Sequence, residues 1–546
     1  MITKDDWSVY FPYSVCRESQ ENAINTILNA FINEGKRFFV LEAATGTGKS
    51  AIGLTVAKFM SNYVKQSPDS IYKTGAYFLT TQKLLQEQYM RDFAEPQGSM
   101  CQIMAAANYQ CKYHRKQNCS ESMQQLKGEK DTTSRFYKTC KFNCTYKNEK
   151  IRFLASTESL TNFSYFLTGT AYTETIPPRT LLVADEAHNI DGELCKFIEI
   201  TVSERFAETA LKLDIPDIKT QKQAYDWIHS EYLPHLKIHI AHYEQTIEKL
   251  NLKDKIETEF VKIAKQLDML EKHCAKIQQF ISLYDEENWV FSLHEGDGET
   301  NQRKFEFKPV DVSPYAEQMF FKNGQYVLMM SATIINPSGF SKMLGVSDDA
   351  MGYMSVTSPF PVENHPIFAF PIAKMSASTI DNDLPKLVEA IKSILAQHPK
   401  EKGIIHTHSY KVASYIRKHV RSKRLIFHES EDRVKKLEEH MKSKEPTVIV
   451  SPSMQEGVDL KDDLSRFQII CKVPYPYLGD KIVKKRMHRW NWWYSFETAK
   501  TIVQSLGRSI RTENDHAVSY ILDVDWHRFY SNNSNLFPES FKKSLK

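Results

Sequence analysis

No uninterrupted apolar run in these 546 residues approaches the length that spans a bilayer. The opening stretch MITKDDWSVYFPYSV lacks the basic and apolar regions of a secretory leader. No membrane association is therefore expected, and a cytoplasmic setting that keeps thiols reduced is. Charge of one sign is also scarce. The 71 Lys/Arg and 67 Asp/Glu leave a net +4, too little for the total alone to argue for a polyanionic partner. No solenoid repeat or long low-complexity linker interrupts the chain. No clustered Asp/Glu/His set of the kind a nuclease needs stands outside a few strand-end motifs. What remains is an ordinary globular composition, 41% apolar and 25% charged, in a chain long enough for three or four domains.

Short apolar runs that end in polar residues recur toward both ends. RFFVLEAATGTGKS, GAYFLTT, RTLLVADEAH and QYVLMMSAT form one set; GIIHTHS, TVIVSPS, FQIICKVP and AVSYILDVD form another after about residue 400. Alternation of such strands with helices predicts an α/β fold with two parallel sheets, whose ligands bind beyond the carboxyl ends of the strands.

Two segments break the pattern. Residues 101–150 carry five cysteines and ten Lys/Arg against four Asp/Glu, a local excess of +6 that exceeds the whole chain's. Four of those cysteines, Cys111, Cys119, Cys140 and Cys144, have seven, twenty and three residues between successive members. In a reducing compartment such a cluster favours metal over disulfide, and four thiolates suit either a [4Fe–4S] cluster or structural zinc. Cys101 is a fifth candidate that could replace Cys111. The second segment, about 203–285, places apolar residues at alternating four-three spacing: Leu236, Ile240, Tyr243, Ile247, Leu250, then Ile256 through Tyr284. With NLKDK between the runs, this predicts an antiparallel helical hairpin.

Ala43-Ala44-Thr45-Gly46-Thr47-Gly48-Lys49-Ser50 follows an apolar strand and opens a helical stretch. Glycines let backbone N–H groups wrap a phosphate, and the helix N-terminus adds a favourable dipole. Lys49 would contact the β- and γ-phosphates and the Ser50 hydroxyl would coordinate Mg²⁺. Asp185-Glu186 ends the strand TLLVA, where one carboxylate can hold Mg²⁺ and the other orient attacking water. Gln504-Ser505-Leu506-Gly507-Arg508-Ser509-Ile510-Arg511 reads as helix, with Arg508 and Arg511 sharing a face. That face can close over the γ-phosphate from a second lobe and supply arginine fingers.

Together these residues resemble the XPD/DinG family of superfamily 2 helicases, in the family's order and over nearly the whole chain. FPYSVCRESQ is similar to the family's adenine-side motif, with Arg17 and Gln20 at its characteristic positions. ATGTGKS is similar to the phosphate-loop motif, TTQKLLQEQ to the next, DNA-touching motif, and DEAH to the one that follows. Ser331-Ala332-Thr333 resembles the coupling motif. SMQEGVDL places Gly457 and Asp459 at matching positions, and VPYPYLGDKIVKKRM and QSLGRSIR complete the set.

The resemblance implies two RecA-like motor domains with an inserted iron–sulfur domain and a helical arch. The expected divisions are 1–100, 153–202 and 286–345 for the first motor, 101–152 for the cluster insertion, 203–285 for the arch and 346–546 for the second motor. It implies ATP, Mg²⁺ and a [4Fe–4S] cluster as cofactors. Because ANYQC is similar to the sequence before the family's first cluster ligand, it selects Cys111. The implied activity is ATP-dependent translocation on single-stranded DNA, 5′ to 3′, with unwinding of forked duplex by a monomer. An ATPase clamp without unwinding and an RNA- or hybrid-directed helicase are the alternatives. Thr80, Thr81 and Gln82 are candidates for the DNA backbone. So is the basic, aromatic stretch Lys484, Lys485, Arg486, His488, Arg489, Trp490, Trp492, Trp493 and Tyr494, whose tryptophans also suit a core.

Overall fold

A computed structural model of the chain describes all residues except 45, 82, 95–99, 130, 173, 252–256, 297–302, 359, 454–459, 461, 508 and 510–514. Its strands, in chain order, begin with β1 (Phe38–Ala43), β2 (Lys73–Thr80), β3 (Met100–Gln102), β4 (Glu158–Asn162) and β5 (Arg179–Asp185). Next come β6 (Ile200–Ser203), β7 (Trp289–His294), β8 (Lys304–Pro309), β9 (Gly324–Ser331) and β10 (Met351–Val356). The last are β11 (Ile367–Ala373), β12 (Gly403–His406), β13 (Leu425–Phe427), β14 (Val448–Ser451), β15 (Phe467–Ile470) and β16 (Val518–Asp523).

Every residue of β1 and β5 is buried, as continuous apolar strands must be when helices cover both faces of a parallel sheet. They lie in a seven-stranded parallel sheet of order β10-β1-β9-β5-β2-β4-β3. A second, six-stranded parallel sheet has the order β11-β16-β15-β12-β14-β13. Each sheet has an apolar cluster on either face. This is the two-motor α/β architecture.

Three expected boundaries move. Met351–Val356 pairs with β1, so the first motor extends past residue 345 and the second sheet begins at Ile367. Met100–Gln102 pairs with β4, so the cysteine-rich insertion starts after the sheet, not at residue 101. Residues 289–309 do not join the motor sheet. They form an antiparallel three-stranded sheet, β6-β8-β7, whose Trp289 and Phe307 pack on Phe280 of the helix Glu257–Leu283. Its strands come from places some 90 residues apart in the chain, and no local pattern announces such a pairing.

The helices Leu233–Asn251 and Glu257–Leu283 pack along each other. Ile247, Ala264 and Leu267 meet at one end, and Leu236, Leu270 and Cys274 join the main core at the other. Leu250 and Ile256 of the expected seam lie outside what can be described. The hairpin reaches the cysteine-rich insertion through Lys265 and Glu121, 2.7 Å apart.

Two histidines, one buried and one half-buried, are held neutral. His440 is 0% exposed, with Nε2 on the Leu464 carbonyl and Nδ1 taking the Thr447 hydroxyl, both at 2.8 Å. Burial pushes it down to about 4 against the opposing bond to Leu464. His273, beside the Tyr232 hydroxyl at 2.9 Å, is likewise pushed by burial to about 4. A histidine whose folded value is lowered stabilises fully above its unfolded value of 6.5, and that stability is lost as pH falls toward 4. Urea titrations between pH 7 and 5 should therefore show a steepening of up to about 1.4 kcal/mol per pH unit for each histidine. His440→Gln should flatten the profile; identical slopes would contradict the assignment.

Candidate nucleotide site

The carboxyl ends of β1, β9 and β5 lie side by side, which gathers the polar residues that follow them. The phosphate loop turns on Gly46 and Gly48, both at positive φ (80° and 83°), where a side chain would be strained. Close packing adds a second reason. A Cβ on Gly46 would fall 2.2 Å from the Phe360 ring, and one on Gly48 would fall 2.3 Å from the Gln20 amide nitrogen. The helix Lys49–Tyr63 starts directly afterwards. Lys49 donates to the Ala43 carbonyl at 3.0 Å, folded back on the strand end.

Arg17 and Gln20, expected on the adenine side, hold the loop itself. Arg17 Nη1 donates to the Gly46 carbonyl at 2.9 Å and Gln20 Nε2 to the Thr47 carbonyl at 3.0 Å. The Gln20 side-chain Oε1 accepts the Arg17 backbone N–H at the helix start. Ala44 lines the adjoining cleft. Thr45 lies outside the described residues.

Asp185 is buried and accepts the Tyr89 hydroxyl at 2.9 Å. Burial pushes its carboxyl above the usual carboxylate range; Glu186 adds to the rise and Lys49 opposes it. Glu186 stands in the left-handed region at φ 55°, an uncommon conformation that costs energy and is held by its surroundings. His188 Nδ1 shares a hydrogen bond with the Ser331 hydroxyl at 2.8 Å and lies 3.4 Å from the Glu186 carboxylate. The DEAH segment and the Ser331-Ala332-Thr333 strand end are thus one network.

The second lobe joins it directly. Gln504, buried in the helix Trp493–Leu506, donates to the Thr333 hydroxyl at 3.0 Å. A cleft of about 410 Å³ opens there, with Glu186, His188 and Thr333 on one wall and Gln504 and Gly507 on the other. Arg508, Arg511, Gly457 and Asp459 lie outside the described residues. Ser50 and Asp185 supply hard oxygen donors, and Mg²⁺ needs only one or two of these when phosphates and water complete its shell. The residues present fit that ion.

Two neighbours escaped sequence reasoning. Glu42, an acidic residue inside the apolar strand β1, accepts the N–H groups of Ile334 and Ile335, each at 2.8 Å, and the Tyr353 hydroxyl at 2.7 Å. It clamps Ile335 at φ 65°, a costly conformation for a β-branched residue. A buried charge in a β-strand was the available signal. Phe360, from the segment joining the lobes, rests on Gly46; nothing local marks it.

In the insertion, Cys111, Cys119, Cys140 and Cys144 are all buried, and the Cys119 and Cys144 sulfurs are 3.3 Å apart. Burial pushes the Cys140 thiol up to about 11, with Cys111 and Cys144 adding to the rise. Burial raises Cys119 as well, with Cys144, Cys140 and Cys111 adding. Thiols that suppress one another's ionisation need a cation before they can act as thiolate ligands, so the donor chemistry fits a metal group. Among the described residues, however, no three or more Cys, His, Asp or Glu side chains converge as a ready metal-binding group. Cys101 lies on β3 opposite Ser159. Of the insertion's aromatics, Phe142 and Tyr113 are exposed, Phe136 is buried, and Tyr146 is tied to the Tyr165 hydroxyl.

The basic stretch after residue 480 is largely committed to protein. Arg486 pairs with Asp191, Arg489 with Asp311, and Lys485 donates to the Glu287 and Trp289 carbonyls. Trp493 is buried, and Trp490 and Trp492 pack beside it. No helix among the described residues is long and apolar enough to cross a membrane.

Residues 14–213 match the family model described as the type III restriction enzyme res subunit, and residues 391–544 match the helicase C-terminal domain. A protein of Methanocaldococcus jannaschii named as a probable ATP-dependent helicase is 24% identical over 40% of this chain and 38% of its own length. The ATP-dependent DNA helicase DinG of Photobacterium profundum is 23% identical over 39% of this chain and 34% of its own. The chain thus aligns with well under half the length of either relative. A solved structure named XPD helicase shares the fold, with a TM-score of 0.64 and 17% identity over 96% of this chain and 99% of that one.

Proposed function

The chain belongs to the XPD/DinG-like superfamily 2 helicases, and from that membership we propose that it hydrolyses ATP to travel 5′ to 3′ along single-stranded DNA and open the duplex ahead. The observation that carries this reading is the Gln504–Thr333 hydrogen bond. It joins the second lobe to the first beside the phosphate loop and the DEAH carboxylates, so that a change at the γ-phosphate becomes a change in lobe spacing. Lys49 neutralises the β- and γ-phosphates, and Glu186 orients the attacking water. Ser50 and Asp185 would hold Mg²⁺, which when bound neutralises charge on the phosphate oxygens. Arg508 and Arg511 serve as arginine fingers toward the γ-phosphate, and Gly457 and Asp459 belong to the nucleotide-binding set. Thr81, just after β2, contacts the DNA backbone, whereas Thr80 is buried in the sheet and is not available to it. The DinG relative is named a DNA helicase, which favours DNA over RNA. The test is a forked duplex with a 5′ or 3′ tail of DNA or RNA. ATP-dependent opening of the 5′-tailed DNA fork is expected. Hydrolysis without strand separation would reduce the protein to an ATPase clamp, and preference for the RNA tail would redirect it to RNA or hybrids.

Cys111, Cys119, Cys140 and Cys144 are the residues that would hold a [4Fe–4S] cluster, whose contribution is to staple a small, loop-rich unit. Anaerobically prepared protein is expected to contain iron and acid-labile sulfide and to absorb in the visible. Cys119→Ser should lose both. Zinc in place of iron would overturn the cluster assignment.

A further inference from the structure

Tyr89 has no part in the chemistry described so far, yet its hydroxyl is bonded to the carboxylate that would hold Mg²⁺. It lies on the helix Lys83–Phe93 and is 2% exposed. Its ring is fixed between Phe78 and Phe93, with centroids at 5.8 Å from each. The hydroxyl donates to Asp185 Oδ2 at 2.9 Å. One turn earlier on the same face, Gln86 is 1% exposed, and neither atom of its amide has a partner among the described residues. This helix therefore turns a polar edge toward the metal side of the phosphate site, where an apolar edge would pack more simply.

We propose that Tyr89 is a positioning residue for Mg²⁺: its hydroxyl orients the Asp185 carboxylate toward the ion. A buried carboxylate with a free torsion must be reoriented when Mg²⁺ arrives. Here the Tyr89 hydroxyl on Oδ2 and the Glu186 N–H on Oδ1, at 3.0 Å, fix that torsion beforehand, and a lone pair remains on each oxygen for the metal. Partners that orient metal ligands in this way are commonly worth between about 10- and 100-fold in metal affinity. The inference rests on the nucleotide-site reading above.

The test is Tyr89→Phe, which keeps the ring and removes the hydroxyl. A fluorescent ADP analogue is bound to the full chain in EDTA and then across a Mg²⁺ titration, without hydrolysis. Binding in EDTA should match wild type, while the Mg²⁺ midpoint should rise by at least about tenfold. In the ATPase reaction the KM for Mg²⁺ should rise with kcat recovered at saturating Mg²⁺, and the melting temperature in EDTA is the control for folding. Superimposable Mg²⁺ curves for wild type and Tyr89→Phe would overturn the proposal and leave Tyr89 a packing residue. Equal losses in EDTA and in Mg²⁺ would also overturn it. Wild-type protein that binds no nucleotide would instead sink the nucleotide-site reading, and Tyr89's role with it.

Discussion

Alanine at position 49 yields a protein that still binds single-stranded DNA and no longer hydrolyses ATP at a useful rate. The ammonium group lies at the start of the helix Lys49–Tyr63, within reach of the strand-end carbonyl of Ala43. No other Lys or Arg stands in that loop between Glu42 and Ser50, and the neighbouring Arg17 is committed to the Gly46 carbonyl. Its loss acts twice. The triphosphate loses a counter-charge in a site sheltered from water, where preorganised charge is worth most. The Asp185 carboxyl loses one of the influences that keep it ionised against burial and Glu186, so it would hold Mg²⁺ less well. Hydrolysis with saturating single-stranded DNA should fall by at least about 100-fold. Binding of a labelled oligonucleotide, followed by anisotropy, should stay measurable, because the residues expected against DNA lie on other elements. Hydrolysis at the wild-type rate would remove the basis for the nucleotide site.

What could be read beforehand was whatever is local in the chain. Gly46 and Gly48 announce a loop because left-handed backbone and close approach must be satisfied within a few residues. Asp185 and Glu186 announce a strand-end site because an apolar run stops at them. The hairpin's spacing was legible because residues such as Leu236, Ile247, Leu267, Leu270 and Cys274 recur on the face that each helix buries. Partnerships across long sequence distances were not legible. Tyr89 looks like one more aromatic on an amphipathic helix until the fold brings it to Asp185, 96 residues away. Glu42 could be seen as odd, but the backbone that it clamps is 292 residues farther on. Arg17 and Gln20 could be picked out by resemblance, whereas their bonds to the phosphate-loop carbonyls are tertiary facts. The same limit explains why Arg486 read as part of a nucleic-acid-binding stretch: the carboxylate that takes its charge is 295 residues away.

That pairing leads to the second large effect. Arg486 Nη1 and Nη2 hold the two oxygens of Asp191 at 2.7 and 3.2 Å, and its Nε donates to the Val310 carbonyl at 2.8 Å. Both side chains are about nine-tenths buried. Burial works against the guanidinium charge, but the Asp191 carboxylate outweighs it and the net shift of Arg486 is upward. The two residues come from the helices Lys481–Arg489 and Ile190–Ile198, the latter starting just after the DEAH residues. The pair therefore ties the C-terminal part of the chain to the first motor a short way from Glu186. Truncating Arg486 to alanine leaves a buried carboxylate and a carbonyl without their donor, a loss expected to cost about 3–5 kcal/mol. Replacing both partners with apolar residues of similar size, Arg486→Met with Asp191→Leu, should restore most of that stability, because desolvation of two charges is then no longer required. Denaturant titrations of the single and double variants measure the difference. If the stability of Arg486→Ala equals that of wild type, the pair is not the tie described. If the double variant is stable but hydrolyses ATP without opening a forked duplex, the pair's value lies in fixing how the two parts move together.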